Sequence, residues 1–229
     1  MAFPSTFLDI QTAVLTKARL DVALDTQKVK DWINQTYTRV CVETEATAAV
    51  ATMAATAAVT TYTLPATVAR IRQMQIKPYG TTQLNAPMIR TTLDEILTRR
   101  QAGGDTQQSS QQPSHYTLLG ISTFELWPTP ASADTINIWY VAFPVALAAN
   151  TDVPVLEEPY ASKLLEFGAL ADAGDFKGDP NTGQWQADFD TWMARYQQHL
   201  EAKQGVIPGQ FHQWGKPWAP SGDMVVGGY

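Results

Sequence analysis

The chain has 229 residues, with 22 acidic against 16 basic side chains, a net charge of −6 and a single cysteine. That length can bury a core without disulfide or metal staples, and an apolar content of 45% excludes wholesale disorder. The acidic balance excludes a strongly basic face that grips nucleic acid, the lone Cys41 excludes an internal disulfide framework, and a charged fraction of only 17% predicts a surface covered in large part by something other than water, such as sister subunits.

Met1 to Phe7 lacks a basic stretch followed by an apolar one, so no secretory signal is expected. Ser5 is positioned to cap a first helix running to about Leu20, with Phe7, Val14 and Leu15 on its apolar face. Asp25 is positioned to cap a second helix through Glu45. Along it Val29, Trp32/Ile33, Tyr37 and Val40/Cys41 recur at steps of three and four, one stripe of a 3.6-residue period. Cys41 reads as a small buried side chain whose thiol pKa is raised rather than lowered, which makes it a poor nucleophile.

Ala46 to Ala69 is uncharged and long enough to span a bilayer. Its seven threonines, Pro65 and many alanines make insertion unprofitable, so no membrane span is expected. Ala46 to Pro65 leans towards two strands, the second around Tyr62 and Leu64. Val68 to Pro78 reads as a further strand with imperfect alternation, Tyr79-Gly80 as a turn, and Leu84 to Ile89 as a short strand. Thr92 is placed to cap a helix over Leu93 to Gln101, and Gln101 to Gln112 reads as a polar surface loop. Tyr116 to Trp127 and Ile136 to Phe143 are strong strands. The second is filled on both faces, so both are expected to be covered.

Pro154 to Pro159 closes the β region, and Tyr160, Leu164 and Phe167 open a helix reaching about Gly174. Asp179-Pro180 supplies an acidic N-cap and a proline at the first helical position. The last helix carries Trp185, Phe189, Trp192, Tyr196 and Leu200 at steps of four, three, four and four. The order of elements predicts an α+β chain: a discontinuous helical bundle (1–45 and 155–204), an inserted β-rich domain (46–154) and an extended C-terminal arm (205–229). In the bundle, Trp32, Ile33, Tyr37, Trp185, Phe189, Trp192 and Tyr196 are expected to pack its core or a ring interface. Nine of the arm's 25 residues are Gly or Pro, yet it holds Phe211, Trp214, Trp218 and Tyr229. Such aromatics are interface anchors, which marks them as docking residues.

Catalytic and metal-binding patterns are not found. His115, His199 and His212 have no partner at zinc spacing. Ser122 lacks the second glycine of a nucleophile elbow and reads as a strand serine. Gly103-Gly104 is no phosphate cradle. Asp175, Asp179 and Asn181 resemble a calcium loop, but Lys177 stands where a ligand belongs. No cofactor, metal or enzymatic activity is expected. Arg70, Arg72 and Lys77, and separately Arg99 and Arg100, read as solvated or interface-pairing patches.

Several stretches, in order, resemble the adaptor, or head-to-tail connector, proteins of tailed bacteriophages. They are Val29-Lys30-Asp31-Trp32-Ile33-Asn34-Gln35-Thr36-Tyr37, then Tyr62-Thr63-Leu64-Pro65 with Val68-Ala69-Arg70-Ile71, then Pro113-Ser114-His115-Tyr116 and Phe124-Glu125-Leu126-Trp127-Pro128-Thr129-Pro130. Ile136-Asn137-Ile138-Trp139-Tyr140, Asp152-Val153-Pro154-Val155-Leu156 and Asp179-Pro180 follow. The match spans about Val29 to Leu200, and Ala46 to Val59 departs from it, with alanine and threonine where members often have an aromatic.

The resemblance implies a structural virion protein at the head-tail junction, or neck, made in the host bacterial cytoplasm. Its implied partners are the portal protein, sister adaptor subunits in a dodecameric ring, tail or nozzle proteins, and double-stranded DNA that passes without specific binding; no membrane is involved. It carries no catalytic residues over. An arm that takes its final place only on the assembled portal would make assembly sequential. The rival expectation is a tail-side module for sugar or receptor recognition, with exposed Trp127 and Trp139 stacking on sugar rings.

Overall fold

In the computed structural model, residues 5–77, 87–102 and 112–203 are described. The fold is mixed α+β. Helix α1 (Phe7–Lys17) starts at Thr6 rather than Ser5: the Thr6 hydroxyl accepts from the Asp9 amide at 3.3 Å, and Asp9 accepts from the Thr6 amide at 2.9 Å. This reciprocal box needs an acid three residues on, and Thr6 meets that condition. The helix stops short of Leu20, at Lys17, and Arg19 turns the chain with a φ of 50°.

Helix α2 (Val22–Glu43) is capped by Asp21, not by Asp25. Asp21 accepts from the amides of Ala23 (2.8 Å) and Leu24 (3.2 Å), and Asp25 reaches back to accept from the Asp21 amide (3.1 Å). Two acids four residues apart both suit a helix start, and the earlier one adds a full turn. The apolar stripe of α2 is buried as its spacing predicts: Val29, Ile33, Tyr37, Val40 and Cys41 all face the core.

The chain then builds two sheets. Strand β1 (Ala48–Ala54) and β3 (Val68–Lys77) flank β7 (Thr135–Ala142), each antiparallel to it. The imperfect alternation of β3 has a physical cause. Register shifts between Val68 and Arg70 and between Ile71 and Gln73 rephase the strand, after which Met74 and Ile76 point fully into the core. The second sheet runs β2 (Thr61–Thr63), β6 (Thr123–Trp127), β5 (His115–Leu118), β4 (Ile89–Arg90), with only β4 and β5 parallel.

The expected single strand over Tyr116 to Trp127 is thus a hairpin. Gly120, at φ 131°, lets the chain reverse, and Ser122 lies in the bend rather than in a strand. Pairing Tyr116 with Leu126 and Leu118 with Phe124 keeps Phe124 and Leu126 on one buried face. Tyr62 stacks on Phe124 at 5.5 Å. Helix α3 (Leu93–Gln101) has its expected span and its Thr92 cap, and inserts Ile96. The expected turn at Tyr79-Gly80, the first half of the Leu84 to Ile89 strand and most of the 101–112 loop lie outside the described residues.

Both faces of β7 were expected to be covered. Ile136, Ile138, Tyr140 and Val141 are buried and Trp139 is half-buried, but Phe143 falls just past the strand and is exposed.

Helix α4 (Tyr160–Lys177) runs through Gly174, where it was expected to end, and stops at Gly178 in the left-handed region. Gly174 serves close approach instead: a Cβ there would lie 2.3 Å from the Thr182 hydroxyl and 2.9 Å from the Trp185 ring. Helix α5 (Thr182–Lys203) begins later than Asp179-Pro180 suggests. Asp179 accepts from the Asn181 amide at 2.8 Å and closes the turn that leads into the helix.

Helix α1 packs on α2 and α4, α2 on α4, and α4 on α5. One core cluster draws on Phe7 to Cys41 and Leu147 to Tyr196, and the other on Ala55 to Tyr140. Each fully buried Leu, Ile or Phe contributes roughly 1.5–3 kcal/mol before ordering costs. The bundle core therefore rests on residues far apart in the chain.

Candidate assembly surface

The seven bundle side chains singled out from sequence all belong to one cluster. Ile33, Tyr37, Phe189 and Tyr196 are buried, and Trp32, Trp185 and Trp192 pack against them half-buried. Tyr160, at the start of α4, ties the stripe together, with its ring centroid 5.0 Å from Tyr196, 6.2 Å from Trp192 and 5.1 Å from His199. On the other side Trp32 meets Phe176 at 5.7 Å, and Lys28 lies over the Phe176 ring at 4.2 Å. The docking residues Phe211, Trp214, Trp218 and Tyr229 lie outside the described residues.

The remaining apolar side chains mark where the surface is open. Leu8 in the first turn of α1, and Val22 and Leu24 at the start of α2, lie exposed. A larger group sits where the sheet hands over to the bundle. Phe143, Val145, Val153 and Val155 are 51%, 88%, 46% and 62% exposed and line a groove of about 400 Å³ with Tyr37, Thr47 and Leu147. Exposed apolar groupings of this kind mark interaction surfaces.

The groove wall is fixed by α2. Asn34 donates to the Leu147 carbonyl at 3.0 Å and accepts from the Leu147 amide at 2.8 Å, so one side chain satisfies both polar groups of a loop residue. Tyr37 Oη accepts from the Val155 amide at 3.1 Å. Burial pushes the Tyr37 phenol above its ordinary value, which keeps it neutral. Asn34 and Tyr37 stand three residues apart on one helix face, so the tryptophan-isoleucine-asparagine stretch contains a loop clamp. In the sequence Asn34 carries no assigned role. Its only signal was a polar residue beside a buried stripe.

The four arginines of the basic clusters are paired within the chain. Arg70 and Arg72 both bind Glu45, Arg72 at 3.0 Å, and Arg99 binds Glu95 at 2.5 Å. Arg100 reaches Glu125, a nearly buried carboxylate in β6, at 2.5 Å and so fastens α3 to the second sheet.

The sugar-stacking expectation meets a correction at Trp127. This side chain is only 6% exposed, covered by the Arg99 guanidinium (5.0 Å) and by the edge of His115 (5.5 Å), while Trp139 is half-buried in the first sheet. The Trp127 ring is therefore not laid open as a stacking platform.

His199 of α5 lies 3.1 Å from Glu157 in the loop that precedes α4. Asp175 lies inside α4, apart from the Asp179–Asn181 turn. Among the described residues, no group of three or more His, Cys, Asp or Glu could hold a metal ion, and no helix is long and apolar enough to cross a membrane. In comparison with protein-family models, the chain matches the one described as SU10 adaptor protein over residues 5–213. No curated protein matches it.

Proposed function

The chain belongs to the SU10 adaptor protein family, and from that premise we propose that it assembles as a dodecameric ring beneath the phage portal, extends the DNA channel and offers the platform on which tail components attach. The family match carries this reading, since it covers all the described residues and runs on into the C-terminal segment. The partners are then the portal protein, sister subunits and tail or nozzle proteins, and the place is the neck of the virion.

The surface supports the same reading. The aromatic stripe is consumed inside the bundle, so a ring contact would fall on the apolar side chains left outside it, Leu8, Val22 and Leu24 among them. A net charge of −6 per subunit suits a channel wall along which DNA slides without being held. The work is mechanical, and no catalytic group is assigned.

Imaging of intact particles tests the proposal. Density for this chain in a ring between capsid and tail is the expected result; density at a distal fibre, or none at the neck, overturns it.

A further inference from the structure

The groove formed by Phe143, Val145, Val153 and Val155 is preformed, because Asn34 and Tyr37 pin the loop at Leu147 and at Val155. Its lining is mostly apolar, with Tyr37, Thr47 and Asp152 as its polar members, and a preformed, mostly apolar groove binds without an ordering cost of its own. Helix α5 ends beside it. The Lys203 ammonium lies 2.6 Å from Glu157, two residues along the chain from Val155. The segment 204–229 therefore leaves the bundle next to the groove.

That segment has the matching chemistry. It carries Phe211, Trp214 and Trp218, and its only charged side chains are Lys216 and Asp223. Reach is sufficient: Phe211 stands eight residues beyond Lys203, and at ~3.3–3.6 Å per residue those eight can span about 26–29 Å. A short tether also raises the effective concentration of the segment to about the millimolar range, above that of any free partner.

We infer that in the unassembled subunit the C-terminal segment folds back on its own chain and seats its aromatic residues in the groove between the sheet and the bundle. The aromatics are thereby withheld from other surfaces until a competing site draws them out. This rests on the adaptor reading only for what the release serves; the fold-back is a property of the isolated subunit, and its failure would leave the neck location untouched.

The test is a cross-link in the full chain. Ala146→Cys lies exposed in the groove and Gln213→Cys lies beside Trp214 without removing an anchor, while native Cys41 is fully buried and stays out of the reaction. A short bis-maleimide is expected to give a cross-linked monomer. Adding Trp214→Ala and Trp218→Ala to the same background is expected to lower the yield at least fivefold, with helical circular dichroism unchanged. Three outcomes overturn the inference. Cross-linked dimers would mean that another copy's segment occupies the groove, absence of any cross-link would mean that the segment sits elsewhere, and a yield indifferent to the tryptophans would mean mere chain collision.

Discussion

Two side chains illustrate how environment sets chemistry in this protein. Burial, set against a hydrogen bond with Tyr37, pushes the Cys41 thiol up to about 12. The thiolate, not the thiol, is the nucleophile, so Cys41 should not react with Ellman's reagent at pH 8 in the native protein and should react fully in guanidinium; a native reaction would contradict its burial. Glu157 is the opposite case. Hydrogen bonds first from Lys203 and then from His199 hold its carboxyl below the ordinary 4.5. A depressed folded value adds stability that is fully present above the unfolded pKa and lost as pH falls through the folded one. Thermal denaturation should therefore separate the native chain from Glu157→Gln at pH 6, with the separation shrinking below about 4.5 and closing only once the pH has fallen through the lowered folded value. The group is largely exposed, so the separation should be small.

At the scale of elements, close helix approach is the controlling feature. A Cβ on Gly168 of α4 would lie 2.4 Å from the Thr36 methyl of α2. Gly168→Ala should cost about 1–3 kcal/mol in urea denaturation, and Thr36→Ala in the same chain should recover at least half of that. Asp21→Ala should cost about 1 kcal/mol through the lost cap of α2. Much of this level was legible in the sequence. The stripe from Val29 to Cys41 and the helix from Leu93 to Gln101 follow from side-chain period and a threonine cap. Gly174 misled, because a glycine read as a helix stop also serves where a second helix must come close, and only the tertiary neighbours Thr182 and Trp185 decide between the two. Asp21 and Asp25 misled for a local reason, since both can cap and they do so jointly. The hairpin at Gly120 was hidden because apolar residues on both sides of the turn read as one run. Asn34 was not legible as a clamp, since its partner Leu147 lies more than a hundred residues away.

For the whole molecule, the decisive question is what the open apolar surfaces meet. Removal of residues 205–229 is expected to abolish attachment to the portal ring and to leave the far-ultraviolet circular dichroism nearly unchanged, since among the described residues the buried cores run from Phe7 to Tyr196. Sedimentation of the purified full chain should show mainly monomer. Unimpaired attachment of the shortened chain would remove the C-terminal segment from the proposed assembly.

The bundle core joins Phe7–Cys41 to Leu147–Tyr196 across the sheets. A polypeptide is made from its amino end, so α1 and α2 emerge from the ribosome well before α4 exists. At roughly 5–20 residues per second the interval is on the order of ten seconds. Throughout it the inner faces of the first two helices have no native partner, and α1 can reach its final place only once α4 has been made.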